Sequence, residues 1–409
     1  METKALLEVK RISVDYEADN GTVHAVTDVS FTLRRGQILG IAGESGSGKS
    51  TLAYAIARLL RPPALVTQGS VIYYPPERSE AQAPSRRGEK HLRPNSPAGV
   101  DILRMPEEQL RVLRWAELAM VFQSAMNALN PVMTIGKQIM DVLRMHRPSM
   151  GSESRKQRAF ELLRLVGIAP DRLRSYPHEL SGGMRQRAII AIALALNPEI
   201  IILDEPTTAL DVVVQREILT EIMRLRKQLG FSVIFITHDL SLLLEMADSV
   251  AIMYAGRLVE MAGRRELYTH ALHPYSYGLL HSFPSLDGPR RRMTGIPGSP
   301  PDLRNAPTGC AFHPRCPVAF APCSQALPLL QASGSESNTT ASGEAGSHIV
   351  ACHLYNPTYR AIAPGETAEA SPLAEIANAY AALAEAPSPL QGKQQETRHL
   401  LHADSRTIS

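Results

Sequence analysis

One glycine-rich run sets the strongest limit on how this chain can fold. Residues 43–50 read GESGSGKS and match G-x-x-x-x-G-K-[ST] at every fixed position. The apolar run QILGIA precedes it, and TLAYAIARLL, whose apolar residues recur at helical spacing, follows it. A strand, a loop and a helix in this order place successive backbone N–H groups and a helix N-terminus around an anion. The sequence therefore predicts an α/β fold with a loop that binds nucleotide phosphates.

Two residues of this run are predicted to act on the nucleotide with their side chains. Lys49 supplies a positive charge to the β- and γ-phosphates, and Ser50 offers its hydroxyl to Mg²⁺. ATP and Mg²⁺ are therefore the expected ligands. The other residues predicted to line the phosphates are Gly43, Glu44, Ser45, Gly46, Ser47, Gly48 and Thr51.

Polar side chains follow three further apolar strands. Asp204 and Glu205 end the run IIILDE, where we expect Asp204 to join the Mg²⁺ shell and Glu205 to be the general base for the attacking water. His238 follows VIFIT and is expected to contact the γ-phosphate, and Gln123 follows AMVF and is expected to reach Mg²⁺. Because ligands of open α/β sheets bind at the carboxyl ends of the strands, these residues should converge on the phosphate loop.

Charge and apolar patterning argue against three classes of protein. The chain carries 43 Lys and Arg against 40 Asp and Glu, a net charge of +3 that does not favour a nucleic acid partner. Its longest apolar stretch, residues 188–203, is interrupted by Asn197-Pro198-Glu199 and is too short to span a membrane. The N-terminus lacks the apolar core of a secretory signal. We therefore expect a cytoplasmic protein that reaches a membrane only through partner subunits.

The run LSGGMRQR at residues 180–187, together with GESGSGKS and IIILDEPTTALD, resembles the ATP-binding cassette (ABC) family. The resemblance implies that Ser181, Gly182 and Gly183 begin a helix that caps the γ-phosphate of ATP bound to a partner subunit. A serine cap followed by glycines leaves backbone donors open to an anion. The resemblance also implies that Tyr16 stacks on adenine and that Asp211 crosses the dimer. By the same resemblance Gln123 links the site to a membrane subunit and His238 is the switch histidine.

The sequence after residue 260 narrows the family. HPYSYGLL, GIPGSPPDLRNAPTGCAFHPRCP and HIVACHLY resemble the C-terminal extension of oligopeptide and dipeptide importer ATPases, and LSGGMRQR resembles their D-type subunit. This implies a heterodimer with an F-type ATPase, two transmembrane permease subunits and an extracellular substrate-binding protein. It also implies a position at the cytoplasmic face of the cell membrane. Peptides are the expected substrate, with nickel chelates or oligosaccharides as alternatives.

The family resemblance gives a domain plan. Residues 1–100 and 181–260 are predicted to form a RecA-like ATP-binding core of the P-loop NTPase class, with an antiparallel β layer between Leu6 and Leu33. An α-helical lobe at residues 101–180 is inserted into this core, and the importer extension covers residues 261–362.

Two further segments are predicted to stand apart from this core. Residues 75–99 are rich in Pro, Ser and charged residues and are predicted to be a surface insertion. Residues 363–409 are predicted to be a low-complexity, disordered tail with one marginal helix.

All four cysteines fall in the extension. Thiols stay reduced in the cytosol, so disulfides are not expected. The resemblance suggests a [4Fe–4S] cluster, because some D-type members hold one; Zn²⁺ and plain buried thiols remain alternatives, and His313 or His353 could replace a thiolate. The predicted ligands are Cys310, Cys316, Cys323 and Cys352.

Two other kinds of cassette protein fit the sequence less well than a transport ATPase. A nucleic-acid-acting cassette ATPase usually carries two cassettes or a long coiled coil, whereas this chain has one cassette and no heptad run. A regulatory module without turnover would lack Glu205 or His238, and both are present. The transport ATPase is therefore the favoured interpretation.

Overall fold

The computed structural model describes residues 4–18, 21–76, 99–123, 128–208, 210–282, 295–332, 348–360 and 371–385. The strands are β1 (Ala5–Ala18), β2 (Gly21–Arg34), β3 (Ile38–Ala42), β4 (Ala64–Tyr73), β5 (Val100–Asp101), β6 (Leu118–Val121), β7 (Ile200–Asp204), β8 (Ser232–Ile236), β9 (Ser249–Tyr254), β10 (Arg257–Gly263), β11 (Gln331–Ala332) and β12 (Ile349–Val350). The helices are α1 (Lys49–Ile56), α2 (Glu107–Ala116), α3 (Ile135–His146), α4 (Ser152–Leu165), α5 (Gly182–Ala193), α6 (Val212–Leu229), α7 (Leu240–Met246), α8 (Arg264–Thr269), α9 (Pro274–His281), α10 (Ala321–Gln325), α11 (Pro357–Arg360) and α12 (Pro372–Glu385).

The N-terminal part forms an antiparallel sheet in the order β2-β1-β4-β5. Apolar residues of β1 and β2 such as Leu7, Val9 and Phe31 point to one buried face, as the alternating sequence predicts. The predicted antiparallel layer is therefore confirmed. Strand β4 pairs with β5, so the predicted insertion connects two paired strands. Residues 77–98, most of that insertion, lie outside the described residues.

A second sheet of eight strands, in the order β11-β12-β10-β9-β3-β8-β7-β6, forms the α/β core. Strands β6, β7, β8, β3 and β9 are parallel, and the remaining three are antiparallel. Every residue of β3, β7 and β8 is buried, as expected for parallel strands covered on both faces. The register aligns Val121 with Leu203 and Asp204 with Ile236, so these strands end along one edge of the sheet.

The structure divides the helical region differently from the sequence-based plan. Helices α3, α4 and α5 pack together as a lobe, but β6 lies within residues 101–180 and pairs with β7 in the core sheet. Four apolar residues, LAMV, carry no period that separates a strand from the amphipathic helices around them. The helical lobe therefore begins after β6 rather than at residue 101.

The extension is built onto the core sheet. Strand β12 pairs with β10, and β11 pairs with β12, so the core and the extension share one sheet. Part of the predicted disordered tail is also ordered here, because α12 buries Ile376 and Tyr380, one turn apart, against α9. The Tyr380 hydroxyl donates to the carbonyl oxygen of Pro274 at 2.9 Å. The marginal helix predicted within the tail is present as α12, while residues 361–370 and 386–409 lie outside the described residues.

None of the helices in the described segments combines the length and the apolar character that a crossing of the bilayer needs.

Candidate active site

The phosphate loop joins β3 to α1, and its backbone requires glycine at two places. Gly43 has φ +151°, and a Cβ atom there would lie 2.2 Å from the carbonyl oxygen of Met253. Gly48 has φ +94°, and its Cβ atom would lie 2.3 Å from the carbonyl oxygen of Ala25. Any side chain at either position would clash with backbone. The backbones of Met253 and Ala25 therefore pack directly against the phosphate loop, which forms a concave cradle that ends at the first turn of α1.

The Lys49 side chain lies inside this cradle. Its ammonium group donates to the carbonyl oxygens of Gly43 and Glu44, both at 2.8 Å, and it lies 3.3 Å from Ser47 Oγ. Burial lowers the pKa of Lys49, although the carboxylates of Glu205, Asp204 and Glu44 act in the opposite direction. Ser47 is buried with it, whereas the loop tip at Ser45 and Gly46 is exposed.

Asp204 ends β7 directly beside the loop. Its Oδ1 atom accepts a hydrogen bond from the Ser50 hydroxyl at 2.9 Å, and its Oδ2 atom is buried without a hydrogen-bond partner among the described residues. Burial raises the pKa of Asp204 to about 6, with the charge of Glu205 adding to the rise. A divalent cation could coordinate this oxygen and satisfy it. Ser50 and Asp204 therefore fit the predicted Mg²⁺ site.

The Glu205 carboxylate is the point where the other predicted residues meet. Its Oε2 atom accepts from Gln123 Nε2 at 3.0 Å, and its Oε1 atom lies 3.3 Å from His238 Nδ1. The Glu205 backbone has φ +44°, an uncommon value for a residue with a side chain. The side chain of Glu205 is 13% exposed and that of His238 is 57% exposed. The structure thus brings together Gln123, Glu205 and His238 as predicted.

A further side chain, which the sequence did not predict for the site, contacts Glu205. The Thr208 hydroxyl lies 3.2 Å from Glu205 Oε2 and 3.1 Å from the carbonyl oxygen of the same residue. Thr208 can therefore orient the carboxylate. Its only sequence signal is its place three residues after Glu205 in EPTTALD, which local pattern alone does not distinguish from an ordinary turn threonine.

Tyr16 lies on β1 at the edge of the same region. Its hydroxyl is 3.2 Å from the Thr51 hydroxyl in the first turn of α1. The structure therefore places Tyr16 and Thr51 together beside the phosphate loop. The stacking of Tyr16 on adenine stays a prediction.

Two predicted residues lie apart from this centre and cap helices. Ser181 caps α5, accepting the N–H of Met184 at 3.3 Å, and Gly182 and Gly183 form its first turn. Asp211 caps α6, accepting the N–H groups of the second and third residues of that helix. No hydrogen bond among the described residues joins the start of α5 to the phosphate loop. Their predicted roles across a dimer stay predictions.

The four cysteines of the extension face one cavity, which Phe312, His313 and His353 also line. All four are free thiols, and burial raises the pKa of each, to about 11 for Cys310. His313 and His353 already contact backbone carbonyl oxygens at 2.9 and 2.8 Å. Within the described ranges, no group of three or more His, Cys, Asp or Glu forms a metal-binding arrangement. The predicted cluster or zinc site is therefore not confirmed.

The chemistry available at the loop is nucleotide hydrolysis. Backbone donors and Lys49 can hold phosphates, and Ser50 and Asp204 can hold a divalent cation. The Glu205 carboxylate contacts three neighbouring side chains and can serve as a base for water. These groups meet at the carboxyl ends of adjacent parallel strands, the usual ligand position of such sheets.

Comparisons with known proteins agree with this chemistry. Residues 26–208 match the ABC transporter family, and residues 259–323 match the oligopeptide/dipeptide transporter C-terminal region. The chain is 42% identical to the oligopeptide transport ATP-binding protein OppD of Escherichia coli, over 80% of this chain and 89% of that protein. It is 41% identical to the dipeptide transport ATP-binding protein DppD of Lactococcus lactis, over 78% of this chain and 86% of that protein.

A solved structure gives the same result for the core. It is a dimeric ATP-binding cassette in a post-hydrolysis state with ADP and phosphate bound. The match has 26% sequence identity and a TM-score of 0.52, and it covers 63% of this chain and 99% of that chain.

Proposed function

This chain belongs to the ABC transporter family, and from that premise we propose that it powers the import of oligopeptides or dipeptides by hydrolysing ATP. The order of its parts supports the proposal, because a cassette is followed by an oligopeptide/dipeptide transporter C-terminal region. Two relatives that align with this chain over 89% and 86% of their own length are oligopeptide and dipeptide transport ATP-binding proteins. The observation that carries the ATPase assignment is the convergence of Gln123, Thr208 and His238 on Glu205.

Each residue of the site has a distinct task in this proposal. The phosphate loop binds the β- and γ-phosphates through its N–H groups and Lys49. Ser50, Asp204 and Gln123 would hold Mg²⁺, which neutralises developing charge on the phosphates when bound. Glu205 takes the proton of the attacking water, and His238 contacts the γ-phosphate and the water.

The start of α5 and the segment at Asp211 suggest which partner subunits this chain binds. Ser181, Gly182 and Gly183 begin a helix whose open N–H groups suit an anion of another subunit, and Asp211 leads into Val212, which is 78% exposed. We propose a heterodimer with an F-type ATPase, in which each phosphate loop faces the partner's α5. Two permease subunits and an extracellular substrate-binding protein complete the importer. The chain would then work at the cytoplasmic face of the membrane, with no role for nucleic acid.

The test is ATP hydrolysis by the complex purified with its membrane partners, comparing wild type with Glu205→Gln. We expect turnover to fall by about a thousandfold with ATP binding retained, because glutamine keeps the shape but cannot take a proton. Glu245→Gln is the matched control, since the Glu245 side chain forms an exposed pair with Arg216 away from the nucleotide site. Unchanged turnover in Glu205→Gln would mean that another group activates the water.

Substrate is tested separately from turnover. Cells lacking this chain should lose uptake of labelled di- and oligopeptides and regain it on complementation. Loss of nickel or oligosaccharide uptake with normal peptide uptake would assign the alternative cargo to the same ATPase.

We also propose that the four cysteines hold a [4Fe–4S] cluster, with Zn²⁺ as the alternative. The four thiols line one cavity, which supports this because four thiolates are the usual ligands of such clusters. Since the described residues hold no metal-binding arrangement, the thiols would have to move closer together to bind a cluster. Protein purified without oxygen should contain iron and acid-labile sulfide, and replacing Cys316 by serine should remove both. Stoichiometric zinc, or no metal at all, would contradict the cluster.

A further inference from the structure

The second residue of the phosphate loop is held by the C-terminal extension. Glu44 Oε2 accepts from Arg315 Nη1 at 2.6 Å, and Glu44 Oε1 accepts from Arg315 Nη2 at 3.0 Å. The side chain of Arg315 is 6% exposed and that of Glu44 is 25% exposed. Parallel bonds from a guanidinium to a carboxylate fix geometry as well as charge. The extension therefore controls where this carboxylate lies.

Arg315 is itself fixed by other parts of the extension and the core. Its Nε atom donates to the carbonyl oxygen of Pro297 at 2.7 Å, and Nη1 lies 3.2 Å from the Tyr254 hydroxyl. The guanidinium also lies over the rings of Tyr254 and Phe312, at 5.7 and 5.9 Å from their centroids. With so many partners, Arg315 is a rigid support and not a flexible surface cation.

A second contact holds the backbone of the same residue. The N–H of Glu44 donates to the Tyr275 hydroxyl at 2.8 Å. Tyr275 is fully buried near the start of α9, and its ring packs against Tyr254 and Phe312 with centroids 4.6 and 5.4 Å apart. Side chain and backbone of Glu44 are thus both anchored outside the cassette motifs.

The position of the Glu44 carboxylate affects nucleotide binding because this group is negatively charged. The backbone carbonyl oxygen of Glu44 accepts a hydrogen bond from Lys49 Nζ at 2.8 Å, so Glu44 lies in the loop that is predicted to bind the phosphates. A free carboxylate there would repel the triphosphate and could also take Lys49 as its partner. The pair with Arg315 cancels the charge and holds it to one side.

We propose that Arg315 and Tyr275 are positioning residues through which the extension sets the affinity of the phosphate loop for ATP. The inference rests on the proposed ATP-binding function. Arg315 immediately precedes Cys316, and Phe312 lines the cysteine cavity, so one short turn joins that cavity to the phosphate loop. A change in the cavity would therefore reach the nucleotide site through Arg315.

The experiment measures equilibrium binding of the non-hydrolysable analogue AMP-PNP with Mg²⁺ to the full-length chain. We expect Arg315→Gln to weaken binding roughly tenfold, because Glu44 loses its cation. Adding Glu44→Gln should restore affinity to within about threefold of wild type, since the repelling charge is then gone. Arg304→Gln, which removes an exposed pair with Asp302 in the same extension, should bind like wild type.

The outcomes separate this inference from the proposed function. Wild type that fails to bind AMP-PNP would overturn the ATPase proposal itself. Wild-type affinity in Arg315→Gln, or a double variant no better than Arg315→Gln, would overturn the positioning role alone. If Arg315→Gln does not fold, Arg315→Lys and Tyr275→Phe replace it, with melting temperatures measured without nucleotide. Both should bind several-fold more weakly, and unchanged affinity in both would contradict the inference.

Discussion

At the scale of single residues, Asp204 is expected to bind Mg²⁺ at a cost in the stability of the folded protein. The carboxylate is fully buried, one of its oxygens has no partner among the described residues, and burial raises its pKa to about 6. Without a cation, its ionised form is therefore unfavourable in the folded protein. We predict that Asp204→Asn abolishes Mg²⁺-dependent turnover but increases the free energy of unfolding by about 2 kcal/mol at pH 8.

The pH dependence of that gain follows from the sign of the shift. The folded state binds the Asp204 proton more tightly than the unfolded state, whose pKa is about 3.9. Stability from this group is therefore greatest below about pH 4 and falls until about pH 6, above which the penalty is complete. Urea unfolding at several pH values should show the advantage of Asp204→Asn only above this window. A gain that is equal at pH 4 and pH 8, or that also occurs in the exposed Asp141→Asn, would contradict it.

Residues that a short motif places were predictable from sequence, and those placed by distant contacts were not. Lys49 and Ser50 belong to one loop, and Glu205 and His238 end neighbouring parallel strands, so their convergence follows from strand order. Arg315 reaches Glu44 from 271 positions away. No periodicity or spacing encodes that pair, because it depends on how the extension packs on the core.

At the scale of elements, α12 shows how packing decides the structure of a weak sequence. An isolated helix of this length is marginal in water, so LAEIANAYAALAEA alone predicts only a marginal helix. Ile376 and Tyr380 pack with Val350, Cys352 and Leu354 in one buried cluster, and Tyr380 also bonds to Pro274 of α9, so tertiary packing stabilises the helix. Strand β6 is a second example, since its four apolar residues form a strand by pairing with β7.

We predict that Ile376→Ala releases α12 from the extension. The substitution removes a fully buried side chain and should weaken docking by about 2–4 kcal/mol. Hydrogen exchange of the α12 amides should then accelerate by a hundredfold or more, while exchange in the core sheet changes little. Leu383→Ala is the control in the same helix, because Leu383 is 39% exposed. Equal acceleration in both variants would show that Ile376 does not anchor the helix.

At the scale of the whole molecule, the phosphate loop and the start of α5 lie on different parts of the chain. The loop belongs to the core sheet, whereas α5 packs with the helices of the lobe. The phosphate loop and the predicted anion-binding start of α5 suit a dimer in which each contacts a different nucleotide. The family-level resemblance predicted this arrangement, whereas hydrogen bonds within one chain do not reveal it.

Ser181→Ala tests the arrangement in the purified complex with the partner ATPase. If α5 serves the partner's nucleotide, the substitution should slow hydrolysis at that site by about tenfold or more, because an anion-binding helix start is altered. Photo-labelling of this chain by azido-ATP should be unchanged, whereas Lys49→Ala should abolish it. Thr134→Ala is the matched control, since Thr134 caps α3 of the same lobe. It loses an equivalent cap, so equal effects of the two substitutions would assign Ser181 to helix stability alone.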